Sequence, residues 1–209
     1  LSGQLGILGG TFDPIHIGHL LTAEIARETL ALDTVLFVPA ADPPHKLAME
    51  KTPAHHRQAM VALAIAANPR FGLSTVDLAR PGPHYSIDTV RLIRAEYGLS
   101  AEECYFIIGG DSLVDLPKWH QPTELIKLCR LAAVHRPGYQ PDVTALESMI
   151  PGLTARLDWV EIPLIGIAAS DIRQRVQQRQ TIRYQVVEPV RIYIEEHGLY
   201  YPEKFFPRP

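Results

Sequence analysis

The sequence predicts an α/β fold built on a parallel sheet, and three observations carry that expectation. Short, continuously apolar runs at Leu5–Leu8, Val35–Val38, Tyr105–Ile108 and Leu131–Val134 read as strands buried on both faces. Stretches of helical spacing stand between them. The first strand, helix and second strand fit within about forty residues, the span of a right-handed β-α-β unit.

Length and charge narrow the class. At 209 residues the chain is expected to form one domain, 1–209, with a helical segment at about 170–200. A chain of this size buries about 70% of its unfolded surface and needs no staples. A net charge of −3 argues against a surface made for nucleic acid, although a local phosphate site remains compatible with it. Cys104 and Cys129 have neither metal nor redox spacing and read as small packed hydrophobes, which suits a reducing, cytoplasmic compartment. No basic-start leader pattern and no bilayer-length apolar run stand out, so no membrane partner is expected. Internal repeats are absent, and oligomeric state is not legible.

The first strand runs into Gly9-Gly10-Thr11-Phe12-Asp13-Pro14-Ile15-His16-Ile17-Gly18-His19. A strand, a glycine turn and a helix start together leave backbone N–H groups and the positive helix end facing outward, as a phosphate needs. His16 and His19 are three residues apart and share a helix face. Gly18 between them leaves room for close approach. Ile17, Leu20, Leu21 and Ile25 follow at helical spacing. Val35–Val38 is the second strand.

Asp42-Pro43-Pro44-His45-Lys46 comes next, stiffened by two prolines, and places Lys46 on the carboxyl rim of the sheet. Ala54–Ala67 reads as a helix with Met60, Leu63 and Ala64 inward and His55, His56 and Arg57 on a solvated first turn. Those histidines lack the partners of a metal site, and no metal ligands are expected. Phe71–Leu78 alternates as a third strand, Arg80–His84 is a loop, and Ser86 reads as the N-cap of the following helix. After the fourth strand, Gly109-Gly110 would let a nucleotide lie against the strand end, with Asp111 accepting from ribose hydroxyls. Trp119, followed by His120, offers a π-face beside the rim. His135-Arg136-Pro137-Gly138 follows the fifth strand, Tyr139–Leu153 reads as peripheral, and Leu157–Ile162 is a last strand. Ile167–Arg173 opens a helix. The tail runs from Thr181 to Tyr200, with Pro189 in a first helical turn and Gly198 as a stop. Arg175, Arg179 and Arg183 read as a solvated face.

These strings resemble the nucleotidyltransferase superfamily marked by H-x-G-H, and the preceding Gly-Gly-Thr-Phe-Asp-Pro is similar to its bacterial nicotinate-nucleotide adenylyltransferase branch. The resemblance runs from about Leu5 to Tyr200. It implies a Rossmann-like, doubly wound parallel sheet of adenylyltransferase type. It also implies transfer of the adenylyl group of ATP to nicotinate mononucleotide, giving nicotinate adenine dinucleotide and pyrophosphate on the route to NAD. Mg²⁺ would ride on the ATP phosphates.

The resemblance also distributes roles. His16, His19, Lys46 and Arg173 would be catalytic. Gly9, Gly10, Thr11, Phe12, Gly109, Asp111 and Ser170 would hold ATP, while Tyr85, Ser86, Trp119, His120 and Arg136 would hold the mononucleotide. Two positions depart from the pattern: His120 stands where a tyrosine is typical, and Ala168 and Ala169 replace two serines. No nucleophile sits at a strained turn, which suits direct in-line attack without a covalent intermediate. The other readings are a relative acting on nicotinamide mononucleotide or phosphopantetheine, and a nucleotide-binding sensor of weak activity. An aminoacyl-tRNA ligase, suggested by the literal His-Ile-Gly-His, fails on length, on the missing lysine-rich second signature and on charge.

Overall fold

The structure is a computed structural model that describes residues 3–40, 51–135, 138 and 141–202. Six strands, β1 (Leu5–Gly10), β2 (Thr34–Pro39), β3 (Phe71–Leu73), β4 (Cys104–Gly109), β5 (Arg130–His135) and β6 (Leu157–Glu161), form one sheet. Its order is β3-β2-β1-β4-β5-β6, and every neighbouring pair is parallel. The expected doubly wound sheet is therefore present, and the chain reverses its direction of growth between β1 and β4. A crevice opens at that switch, above the carboxyl ends of both strands.

The apolar runs alternate between two cores. Leu8, Val35, Phe37, Ile107, Ala132 and Val134 face one side, while Ile7, Leu36, Val38, Phe106, Ile108, Leu131 and Ala133 face the other. Helices α1 (Ile17–Thr29), α2 (Ala54–Ile65), α7 (Ala169–Gln177) and α8 (Glu188–Glu196) cover the first face. They do so with Ala23, Ala26, Met60, Val61, Ile65, Ile172, Val176, Val190 and Ile194. Helices α3 (Ser86–Tyr97), α4 (Gly110–Asp115), α5 (Pro122–Leu128) and α6 (Val143–Met149) cover the second. Among the described residues no helix is long and apolar enough to cross a membrane.

Several expectations change. The third strand is three residues long rather than eight, because the chain beyond it turns at Thr75 and buries Asp77 beneath α3. Helix α2 stops at Ile65 and buries Met60, Val61 and Ile65 together with Arg57, while Leu63 faces out. Its first turn is solvated at His55 but not beyond it: Arg57 is 2% exposed, and His56 pairs with the Tyr193 hydroxyl at 2.9 Å. The segment before β6 is not peripheral: it carries α6, capped by the Asp142 side chain, which accepts from the Ala145 N–H. Leu146, Ile150 and Leu153 of that segment are buried. Both cysteines are buried, and desolvation pushes the Cys104 thiol up to about 12, as small packed hydrophobes would show.

Candidate active site

The turn after β1 is tightly constrained. A Cβ on Gly10 would stand 2.8 Å from the Phe12 ring, so only glycine fits beneath that side chain. Phe12 lies in the left-handed region at φ +50°, a conformation costing a bulky residue about 1–2 kcal/mol. The residue is 2% exposed, and its ring offsets that cost by packing edge-on to His19 at 5.0 Å and against Phe37 at 5.8 Å. The Phe12 side chain is thus a core element. Any contact it makes with a nucleotide comes from its backbone.

Asp13, also buried, ties the turn to distant parts of the chain. Its carboxylate accepts from the Tyr200 hydroxyl at 2.7 Å and from the Thr52 N–H at 3.2 Å. Its carbonyl accepts from Arg173 Nη1 at 2.6 Å. Burial, and then the facing Asp13 carboxylate, push the Tyr200 phenol far up, so it stays a donor.

His16 is the N-cap of α1, and His19 lies one turn on. Their rings stack with centroids 3.7 Å apart, and the His16 N–H donates to His19 Nδ1 at 3.2 Å. Because Nδ1 accepts, the imidazole proton of His19 sits on Nε2. Gly18 makes this stack possible, since a Cβ there would lie 3.0 Å from His16 Nδ1. Burial lowers the His16 pKa to about 4, so this ring is neutral at pH 7. His16 supports; His19 projects.

A cavity of about 550 Å³ lies over the β1/β4 switch, within the range of ligand pockets. Gly9, Gly10, Thr11, His19, Ser86, Gly109, Asp111 and Trp119 line it, eight of the residues expected to bind or react. It reaches from α1, on one face of the sheet, to the start of α3 on the other. At Gly109 a Cβ would meet only open space, so the strand end presents bare backbone to the cavity. Trp119 packs edge-on to Phe106 at 6.1 Å and is half-buried, anchoring and lining at once.

Other expected residues stand elsewhere. Phe12, His16 and Arg173 do not line this cavity. Ser170 is exposed on α7, its hydroxyl 3.2 Å from Asp171. Tyr85 and exposed His120 stack on each other at 4.2 Å outside it. Lys46 and Arg136 lie outside the described residues. Ser86 is not the N-cap: Tyr85 holds that position, and Ser86 is the first helical residue. Among the described residues the N–H groups of Ser86 and Ile87 have no acceptor, as expected of a first turn. The same holds for Ala169 and Ser170 at the start of α7, where Ala168 supplies no side-chain cap.

Sequence reasoning missed a polar wall. Asp77, His84 and Thr89 line the cavity. Arg80 pairs with Asp77 at 2.9 Å, and the Thr89 hydroxyl donates to Asp77 at 2.8 Å. The side chains of the ion pair are 18% and 8% exposed, so Asp77 brings a neutralised carboxylate rather than a bare negative charge to the cavity. The legible signal was Asp77 and Arg80 at a spacing of three. His135 and Ile162, at and just beyond the ends of β5 and β6, complete the opposite side.

The cytidylyltransferase-like family model matches residues 7–175. A probable nicotinate-nucleotide adenylyltransferase of Thermomicrobium roseum is 50% identical over 197 residues, 94% of this chain and 91% of that one. This chain belongs to the nicotinate-nucleotide adenylyltransferase family. A probable member from Thermus thermophilus is 42% identical over 94% of this chain and 99% of its own length. The nicotinic acid mononucleotide adenylyltransferase of Plasmodium falciparum, solved with NaAD, shares the fold at a TM-score of 0.74. It is 18% identical and aligns over 94% of this chain and 97% of its own. The chain is accordingly a nucleotidyltransferase, and its Rossmann-like sheet is that of the family.

Proposed function

We propose that ATP and nicotinate mononucleotide meet in this cavity and leave as nicotinate adenine dinucleotide and pyrophosphate. The observation that carries the reading is the convergence, at the β1/β4 switch, of a glycine turn, His19, bare backbone at Gly109 and an open helix start beside Trp119.

The mononucleotide 5′-phosphate oxygen attacks the α-phosphorus of ATP. A new P–O bond forms, and the bond from that phosphorus to the bridging oxygen breaks. Pyrophosphate departs with the electron pair, and no proton need move. The enzyme's task is positioning and charge stabilisation. His19 Nε2–H is the donor placed for the charge that builds on the reacting phosphate, and the His16 N–H bond holds its ring in that tautomer. The N–H groups of Ser86 and Ile87, at the positive end of α3, suit the nicotinate carboxylate. Neutralisation of Asp77 by Arg80 removes a repulsion that carboxylate would otherwise meet. Trp119 offers its face to the pyridine ring, and Asp111 an acceptor for the ribose.

Arg173 braces the turn through Asp13, so its reach toward the phosphates, like that of Lys46, rests on motif position. ATP would enter as its Mg²⁺ complex. Among the described residues Asp77 and Asp111 are the carboxylates that line the cavity, Asp77 is engaged, and no group of three ligand side chains forms. That donor set fits an ion held by phosphate oxygens rather than by a protein cage.

A coupled pyrophosphate-release assay with the acid and amide mononucleotides tests the proposal. Release with the acid in clear preference is expected. Equal or greater release with the amide would refute the carboxylate site, and ATP binding without release would refute the reaction.

A further inference from the structure

Among the buried side chains that the proposed reaction does not use, Arg57 stands out by placement. It lies in the first turn of α2, 2% exposed and outside the cavity lining. Its Nη1 donates to the Thr11 carbonyl at 2.8 Å and to the Ala40 carbonyl at 2.7 Å. Its Nε donates to the Thr52 carbonyl at 2.9 Å. Three segments thus turn a carbonyl toward one guanidinium: the turn after β1, the residue after β2, and the approach to α2. A planar fork of N–H donors can gather carbonyls in this way, whereas an ammonium cannot match the geometry.

The bond to Thr11 has a consequence for the cavity. A trans peptide points its C=O and the next N–H in opposite directions. With the Thr11 carbonyl drawn to Arg57, the Phe12 N–H is turned away from it. That N–H has no acceptor among the described residues, and Thr11 itself lines the cavity beside His19. Phe12 at φ +50° is a conformation that persists only where its surroundings fix it.

We propose that Arg57 is a positioning residue, which orients the Thr11–Phe12 peptide so that the Phe12 N–H serves as an anion donor to the phosphates of ATP. The inference rests on the reading that the cavity takes ATP, and it concerns only that half of the reaction. A lysine at this position would keep the charge and lose the fork, leaving the peptide free to rotate.

The test compares wild type with Arg57→Lys for binding of a non-hydrolysable ATP analogue and of nicotinate mononucleotide by calorimetry, alongside thermal melting. The expected result is a loss of analogue affinity of about tenfold or more, the scale of one hydrogen bond to a charged group, with mononucleotide affinity held within about twofold. Added guanidinium ion should restore part of the analogue affinity of Arg57→Ala, and ammonium ion should not. A folded Arg57→Lys that binds the analogue as wild type does, or loses both ligands equally, overturns the proposal. Should neither variant fold, ¹⁵N spectra of the wild type decide: the Phe12 amide must move downfield with the analogue, and a stationary signal overturns the proposal. The readout is binding, so a wild type that released no pyrophosphate would refute the reaction without touching this comparison.

Discussion

His16 makes a prediction that can be worked from its surroundings. The residue is 8% exposed, its ring stacked on His19, with Nδ1 against Gly18 and no acceptor for a proton there among the described residues. Its pKa falls from 6.5 to about 4 on folding, through burial. A base whose folded pKa is depressed binds fewer protons in the native state than in the unfolded state between those two values. Its contribution is therefore complete above 6.5 and is lost as the pH falls through about 4. The full loss is about 3 kcal/mol, with a slope approaching 1.4 kcal/mol per pH unit inside the window. His16→Phe keeps a flat ring against His19 and cannot titrate. His56 is also lowered, by burial and then by His55 and His197, but it is common to both proteins and cancels in the comparison. Urea unfolding of the two proteins from roughly pH 4 to pH 7 should show wild type losing stability relative to His16→Phe as the medium acidifies. A gap that stays constant, or moves the other way, would refute the burial argument.

Two further outcomes follow from neighbouring contacts. Gly18→Ala should gain up to about 1 kcal/mol of helix propensity but drive a Cβ to 3.0 Å from His16 Nδ1. Melting temperature should therefore change little while turnover falls at least about tenfold as His19 is displaced, and unchanged turnover would show that the stack has no functional weight. Thr89→Val removes the hydroxyl that donates to Asp77 and reaches the Tyr85 carbonyl, 3.3 Å away. A loss of about 1–2 kcal/mol in unfolding free energy is expected, with KM raised for the mononucleotide and not for ATP; the opposite split would move the mononucleotide away from α3.

Much of this arrangement was legible in the chain itself. β1, β2, β4 and β5 are continuous apolar runs, and burial on both faces leaves no alternation to misread. The glycine turn, the histidine pair and the Gly109–Asp111 strand end are local patterns, and local patterns survive into the structure. What escaped depends on partners distant in sequence. Arg57 reads as a surface charge because its acceptors are backbone carbonyls 5, 17 and 46 residues away. Asp77 reads as part of a strand because the Thr89 and Arg80 side chains that bury it belong to a helix and a loop still to come. Val61 and Leu63 stand about 200° apart around α2, and it is packing against β2 and α8, both remote in sequence, that turns Val61 inward and Leu63 out. Ser86 lost the cap to Tyr85 by one residue, the usual uncertainty of a helix boundary.

Of the H-x-G-H pair, His19 is the ring that reaches the cavity, held by His16 from behind. Turnover of His19→Ala under saturating ATP and nicotinate mononucleotide, followed by pyrophosphate release, tests that assignment most directly. The loss of one preorganised donor predicts a fall of about 100- to 1,000-fold in kcat, with melting temperature and affinity for an ATP analogue nearly unchanged. Turnover within a few-fold of wild type would contradict it.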